Sequence, residues 1–241
     1  MAWFLTKPFL FTDQIQLPMK IFTNRSSLLF LSLLMFFLTA CEKHDPDIVV
    51  KGEAKVKMIN ATQTEANQDI YVDGLKMSTT ALAFSETTEY LKISSGSRIV
   101  KFIGSSNLAT ESAFNFTPSI TYSTFLVNDR NGAREIVNYE DNLSNTETGK
   151  AKIKFINLTP YFTTGINVSV QAGTQFVNGL IFKESSGYFS VDADLNLRFN
   201  VVGSGTIKTI DNANFVAGKI YTIWFSGTTS ATLEAHIITD N

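Results

Sequence analysis

Beyond residue 50, hydrophobic and polar positions alternate with a period of two in stretch after stretch. In 54–59, Ala54, Val56 and Met58 alternate with Lys55 and Lys57. In 151–156, Ala151, Ile153 and Phe155 alternate with Lys152 and Lys154. This period puts one set into a core and the other on the opposite face of a strand. The paired lysines are therefore expected on a solvated outer face. "DIYVDGL" (69–75) reads as a strand ending in an Asp-Gly turn. "EYLKISSGSRIVKFIGSS" and "GYFSVDADLNLRFNVVGS" each read as strand, turn, strand, and "YTIWFSG" and "TLEAHIIT" as closing strands. No stretch after Cys41 carries a long apolar pattern of period 3.6, so no substantial helix is expected.

The alternating segments recur. "AKVKMINAT" (54–62) and "AKIKFINLT" (151–159) share six of nine positions at an offset of 97 residues. "ALAFSETTEY" (81–90) matches "GLIFKESSGY" (179–188) at Leu82/Leu180, Phe84/Phe182, Glu86/Glu184 and Tyr90/Tyr188. "ITYSTFLV" (120–127) follows the pattern of "KIYTIWFS" (219–226). Three collinear matches indicate a tandem duplication, with a period too long for a solenoid. Short strands spaced by turn signals in units of this size point to β-sandwiches. The expected fold is all-β: two tandem Ig-like antiparallel β-sandwich domains, residues 53–140 and 151–241, joined by a polar linker, 141–150.

The N-terminal region has a different character. Lys20 and Arg25 precede an apolar run, Leu28–Leu38, interrupted only by Ser32. That run has the length of a signal-peptide core and is too short to span a bilayer as a helix. It ends in Leu38-Thr39-Ala40-Cys41, which resembles the lipobox of bacterial lipoproteins, and Cys41 is the chain's one cysteine. The resemblance implies a diacylglycerol thioether on the Cys41 sulfur, cleavage before Cys41 and acylation of the new amino group by a chain such as palmitate. Two or three acyl chains anchor firmly where one does not. Residues 1–40 are thus read as a signal peptide, with Met19 a possible true start, and 41–52 as a lipidated tether broken by Pro46. The expected location is the cell envelope, anchored to the outer membrane and facing the periplasm or the exterior.

Composition narrows the field further. With 44% hydrophobic and 17% charged residues, 20 Phe and 7 Tyr, the chain supports a packed β core. A formal net charge of −2 supplies no footprint for nucleic acid.

The pattern "AKVKMINAT…DIYVDG…ALAFSETTEYLKISSG" resembles the bacterial domain-of-unknown-function family 4397, whose members open with a similar strand followed by "VYVDG" and a Tyr-Leu strand-turn. In the second repeat the "VDG" becomes Val170-Gln171-Ala172-Gly173, so the assignment there leans on the duplication. The resemblance implies secreted or lipid-anchored, Bacteroidetes-type Ig-like sandwiches, often in tandem. It carries over no catalytic residue.

The candidate chemistry is thin. His44 lies in the tether, and His236 lies in the last strand with its face set by alternation. No Gly-x-Ser-x-Gly elbow supports a triad around His236. Asp192-x-Asp194-x-Asn196 opens like a calcium loop but has Leu197 and Gly203 where that loop needs Gly and Glu, so it is read as a polar hairpin turn. "GSSN" (104–107) and "GSGT" (203–206) precede no helix and read as hairpin turns rather than phosphate loops. Asn60 and Asn157 head Asn-x-Thr sequons at equivalent strand ends, where the side chain is expected to bond the backbone and end the strand. Trp224 and Phe225 fall on opposite faces of one strand. One belongs to the core, and Trp224 is the weak candidate for an exposed sugar-stacking platform.

No cofactor and no metal site are expected, and the chain is not read as an enzyme. Its expected partners are the membrane, through Cys41, and a glycan, cell-wall polymer or envelope protein. The leading reading is a non-enzymatic binding or adhesion module. The alternatives are an accessory subunit of an envelope complex and, more remotely, a hydrolase using Glu86, Glu184, Asp192 and Asp194.

Overall fold

The computed structural model describes residues 52–63, 66–144, 147–171, 173–193, 195–211 and 213–241. The leader, Cys41, the tether with His44, Ala172 and Asp194 lie outside the described residues. No helix occurs among the described residues, which form one compact unit.

The first repeat contains eight strands: β1 (Glu53–Asn60), β2 (Gln68–Val72), β3 (Leu75–Lys76), β4 (Leu91–Ser94), β5 (Gly96–Gly104), β6 (Ala109–Phe116), β7 (Thr121–Asn128) and β8 (Arg134–Asp141). The second has β9 (Ala151–Asn157), β10 (Ile166–Val170), β11 (Gln175–Leu180), β12 (Phe189–Val191), β13 (Leu197–Val201), β14 (Lys208–Ile210), β15 (Ile220–Ser226) and β16 (Glu234–Thr239). In the first repeat the sheets run β4-β1-β7-β8 and β3-β2-β5-β6. In the second they run β12-β9-β15-β16 and β11-β10-β13-β14, the same order element for element. The duplication in sequence is thus a duplication of topology.

The pairings are antiparallel with one exception in each repeat. β1 lies parallel to β7, and β9 parallel to β15. A parallel neighbour needs a long crossover, and here the strands of the facing sheet supply it. The links after β4 and β12 also differ from simple hairpins. The Ser94-Ser95-Gly96 turn and its Asp192 counterpart carry the chain from one sheet to the other, because β4 and β5 belong to different sheets, as do β12 and β13. The Asp73-Gly74 turn is a true tight hairpin: both residues have positive φ, 50° and 82°, as a two-residue primed turn requires. The GSSN and GSGT segments likewise join paired strands, β5 to β6 and β13 to β14.

Each repeat closes over its own core. Val56, Met58, Ile70, Val100, Phe102 and Leu126 fill the first. Ile153, Phe155, Val168, Leu197, Ile223 and Phe225 fill the second. Equivalent tyrosines pin the entry to the seventh strand of each repeat. The hydroxyl of Tyr122 accepts from the Thr117 amide at 3.1 Å, and that of Tyr221 from the Val216 amide at 3.0 Å. The sequon asparagines end the first strands as their spacing predicts. Asn60 Nδ2 donates to the Leu82 carbonyl and Oδ1 accepts from the Thr62 amide. Asn157 makes the same two bonds, to the Leu180 carbonyl and from the Thr159 amide.

Candidate functional site

The face of β1 and β9 turned away from each core is not solvated. The alternation that sends Met58 inward sends Lys57 and Ile59 outward, and both are buried, at 4% and 0% exposure. Lys154 and Ile156 are buried likewise, at 2% and 0%. The expectation of solvated lysines therefore fails for Lys57 and Lys154, and holds for Lys55, which is exposed. The reason is that the β4-β1-β7-β8 and β12-β9-β15-β16 sheets meet through their outer faces. Ile59, Phe125, Val127, Ile156, Leu158, Trp224 and Ile238 form a third apolar cluster shared by both repeats.

This seam has pseudo-two-fold symmetry, the arrangement of an isologous dimer interface. Lys57 reaches the second repeat, with Nζ 2.7 Å from the Thr239 carbonyl and 3.4 Å from Asp240 Oδ1. Lys154 reaches the first repeat and meets the equivalent pair, the Glu140 carbonyl and Asp141 Oδ1. Each aspartate is held from its own sheet: Ser123 donates to Asp141 and Thr222 to Asp240, both at 2.7 Å. Tyr90 adds a third donor to Asp141 at 2.9 Å, and its ring lies 4.4 Å from Lys57 Nζ. Burial and two nearby aspartates push the Tyr90 hydroxyl well above the ordinary phenol range. Burial also raises the Asp240 carboxyl, with the Asp141 charge adding to the effect. Asp141 was expected to open the linker; it is instead the buried last residue of β8 and the counterion of Lys154.

The middle of the seam is aromatic. Trp224 stacks on His236 at 4.0 Å and meets Phe84 and Phe125 edge-on at 5.9 and 6.2 Å. It is 0% exposed, so it is no sugar platform: the repeat packed against it covers the ring that one isolated sandwich would display. Phe225, its neighbour on the opposite face, lies in the core of the second repeat. His236 is half-buried on edge strand β16. Its Nε2 lies 2.8 Å from Ser226 Oγ, and burial pushes its pKa below 6.5.

Three of the four remote hydrolase candidates, Glu86, Glu184 and Asp192, have structural partners, and Asp194 lies outside the described residues. Glu86 Oε2 accepts from the Ala83 amide, and Glu184 Oε2 from the Ile181 amide, in equivalent turns. Asp192 pairs with Lys150 at 2.6 Å. Among the described residues no cluster of His, Cys, Asp and Glu has the geometry of a metal site.

The far end of the seam opens into a half-enclosed crevice of about 110 Å³. Its walls come from the segments after β1, β7, β9 and β15, so it lies on the pseudo-two-fold axis. Gln63 Nε2 donates across it to Ser226 Oγ at 3.2 Å. Sequence reasoning found no sign of this site, because its residues come from four separated stretches of the chain. The symmetry-equivalent positions do carry one: Val127 and Val137 in the first repeat answer to Ser226 and His236 in the second.

No curated protein matches the chain. A family model described as a domain of unknown function, DUF4397, matches residues 54–164, from β1 through β9 and into the loop beyond it. The stretch similar to DUF4397 is thus the first repeat with the opening strand of the second.

Proposed function

We propose that this chain is a lipoprotein, anchored through Cys41 to the outer membrane or cell surface, whose fused sandwiches serve as a non-enzymatic binding or adhesion module. Its ligand is a glycan, a cell-wall polymer or an envelope protein. The observation that carries this reading is the seam. It joins the repeats into one compact unit and draws His236, Trp224, Asp141 and Asp240 into packing and pairing. The glutamates serve their own turns. What remains for function is presentation of loops and sheet faces at the end of a tether, a property of binding modules.

The test incubates the protein with fractionated envelope polysaccharide, following both retention and release of reducing ends, alongside protease shaving of intact and disrupted cells. Saturable retention without product is the expected result. Turnover that disappears in Glu86→Gln or Glu184→Gln would make it a hydrolase. An accessory role is the second reading, favoured by the exposed apolar side chains Leu75, Ile99 and Leu108. Failure to retain any polymer, with a stoichiometric protein crosslink, would replace the binding reading with that one.

A further inference from the structure

We propose that the crevice on the pseudo-two-fold axis is the sugar-binding subsite of this chain, taking the edge of one neutral, hydroxyl-rich ring such as the terminal residue of a glycan. The proposal rests on the binding reading above and names its ligand class and place.

Four observations carry it. First, among the described residues lining the crevice the only ionisable side chain is that of Tyr161; the rest are hydroxyls, amides and apolar groups. An anion or cation would find no counter-charge among them, whereas a sugar edge needs mixed donors and acceptors beside apolar surface. Second, Asn128 lines the crevice and its Oδ1 is buried with no hydrogen-bond partner. A buried acceptor of this kind is costly to leave unpaired, and a ligand hydroxyl that reaches it through a small turn of the Asn128 side chain would satisfy it. Third, Gln63, Ser226 and His236 form a connected chain of hydrogen bonds at 3.2 and 2.8 Å. In the Nδ1–H tautomer of neutral His236, the Ser226 hydroxyl donates to Nε2 and accepts from Gln63, so the polar wall is oriented before any ligand arrives. Fourth, Tyr161 stands at the rim, 39% exposed, with its carbonyl tied to Arg130 at 3.0 Å. An aromatic ring held at the mouth of a polar crevice is a stacking surface for a sugar face.

The asymmetry of the seam points the same way. Packing the two repeats does not require Ser226 or His236, because the first repeat packs with Val127 and Val137 in the equivalent places. Ser226 lines the crevice and is bonded by His236, whereas Val127 is not among the lining residues. Size limits the ligand: about 110 Å³ admits part of one ring, not an oligosaccharide. A wider depression at the charged end of the seam, about 560 Å³, is lined by Asp141 and Tyr188. Those groups are already paired, with Lys154 and with the Asn142 amide.

The experiment titrates the full chain in detergent with the methyl glycosides of glucose, galactose, mannose and N-acetylglucosamine, recording NMR shifts of the Gln63 and Asn128 side-chain amides. At least one glycoside should shift both signals saturably, with a Kd near about 1 mM for a single ring. Asn128→Ala should weaken it about tenfold. The double variant Ser226→Val/His236→Val copies the first repeat, so it should fold, and should also bind at least about tenfold more weakly. Unchanged affinity in that folded variant overturns the proposal. If polysaccharide is retained but no glycoside moves these signals, the subsite is wrong and the binding reading stands. If nothing is retained and nothing shifts, both fall.

Discussion

At the scale of single residues, the most consequential groups are the two buried lysines and their aspartates. Desolvating such charges is expensive, and each pair recovers the cost only while both partners are present. Asp141→Ala leaves Lys154 buried at 2% exposure without its counterion, and also removes the acceptor of Ser123 and Tyr90. The expected loss is about 3–5 kcal/mol in denaturant unfolding, most of it regained in the apolar double variant Asp141→Leu/Lys154→Met. A double variant as unstable as Asp141→Ala would mean that the hydroxyl bonds, not the charge pair, set the cost. His236 gives a pH-dependent counterpart. It packs against Trp224, Phe84 and Ser226, with Glu234 opposing the burial effect. Its folded pKa lies below the unfolded 6.5, so the unfolded chain binds the extra proton first. Stability from this group is present above pH 6.5 and is lost as the pH falls through the folded value. Comparing unfolding midpoints of wild type and His236→Val across that window should show a shallower decline in the variant, and parallel curves would remove His236 from the linkage.

At the scale of elements, the outer face of the β4-β1-β7-β8 sheet behaves as half of an interface. Ile59, Phe125, Val137 and Tyr139 lie there beside Lys57 and Asp141. Expressed without the second repeat, β1–β8 should pair with another copy of itself, because Lys57 of each copy would find Asp141 of the other. Light scattering after size exclusion should report a dimer, and a stable monomer at tens of micromolar would show that the face tolerates water. This face marks the limit of what period-two alternation reveals. The inward set, Val56 and Met58 or Ile153 and Phe155, was legible, as were the Asp73-Gly74 hairpin, the strand-ending asparagines and the repeat, whereas the Asp192 turn, read as a hairpin, links two sheets instead. The outward set was not. Alternation says only that Lys57 and Met58 point opposite ways; whether the far face meets water or another sheet depends on a partner well over a hundred residues away. The same blindness made Trp224 read as a platform. Ile59 beside Lys57, and Phe125 and Trp224 at matching places, were the available hints, since a solvated face rarely repeats large apolar groups.

At the scale of the whole molecule, the shared cluster couples the repeats energetically. A core change in one, Phe225→Ala, is expected to cost about 3–5 kcal/mol and to lower the unfolding midpoint of both halves together. Hydrogen exchange at β1 and β9 should then accelerate in step, whereas two separable transitions would show the seam to be too weak to couple them. The seam's two-fold layout within one chain also changes what dilution can do. Two separate subunits joined by such a face would come apart as their concentration fell, but a short connection keeps the halves at an effective concentration near the millimolar range wherever the protein goes. Fusion also releases the halves from identity. A symmetric dimer would repeat any substitution at its axis on both sides, whereas here valine can stay on one side while serine and histidine occupy the other. An axis-centred hollow with two unlike walls, able to receive a ligand in one orientation only, is therefore open to this chain and closed to a pair of identical subunits.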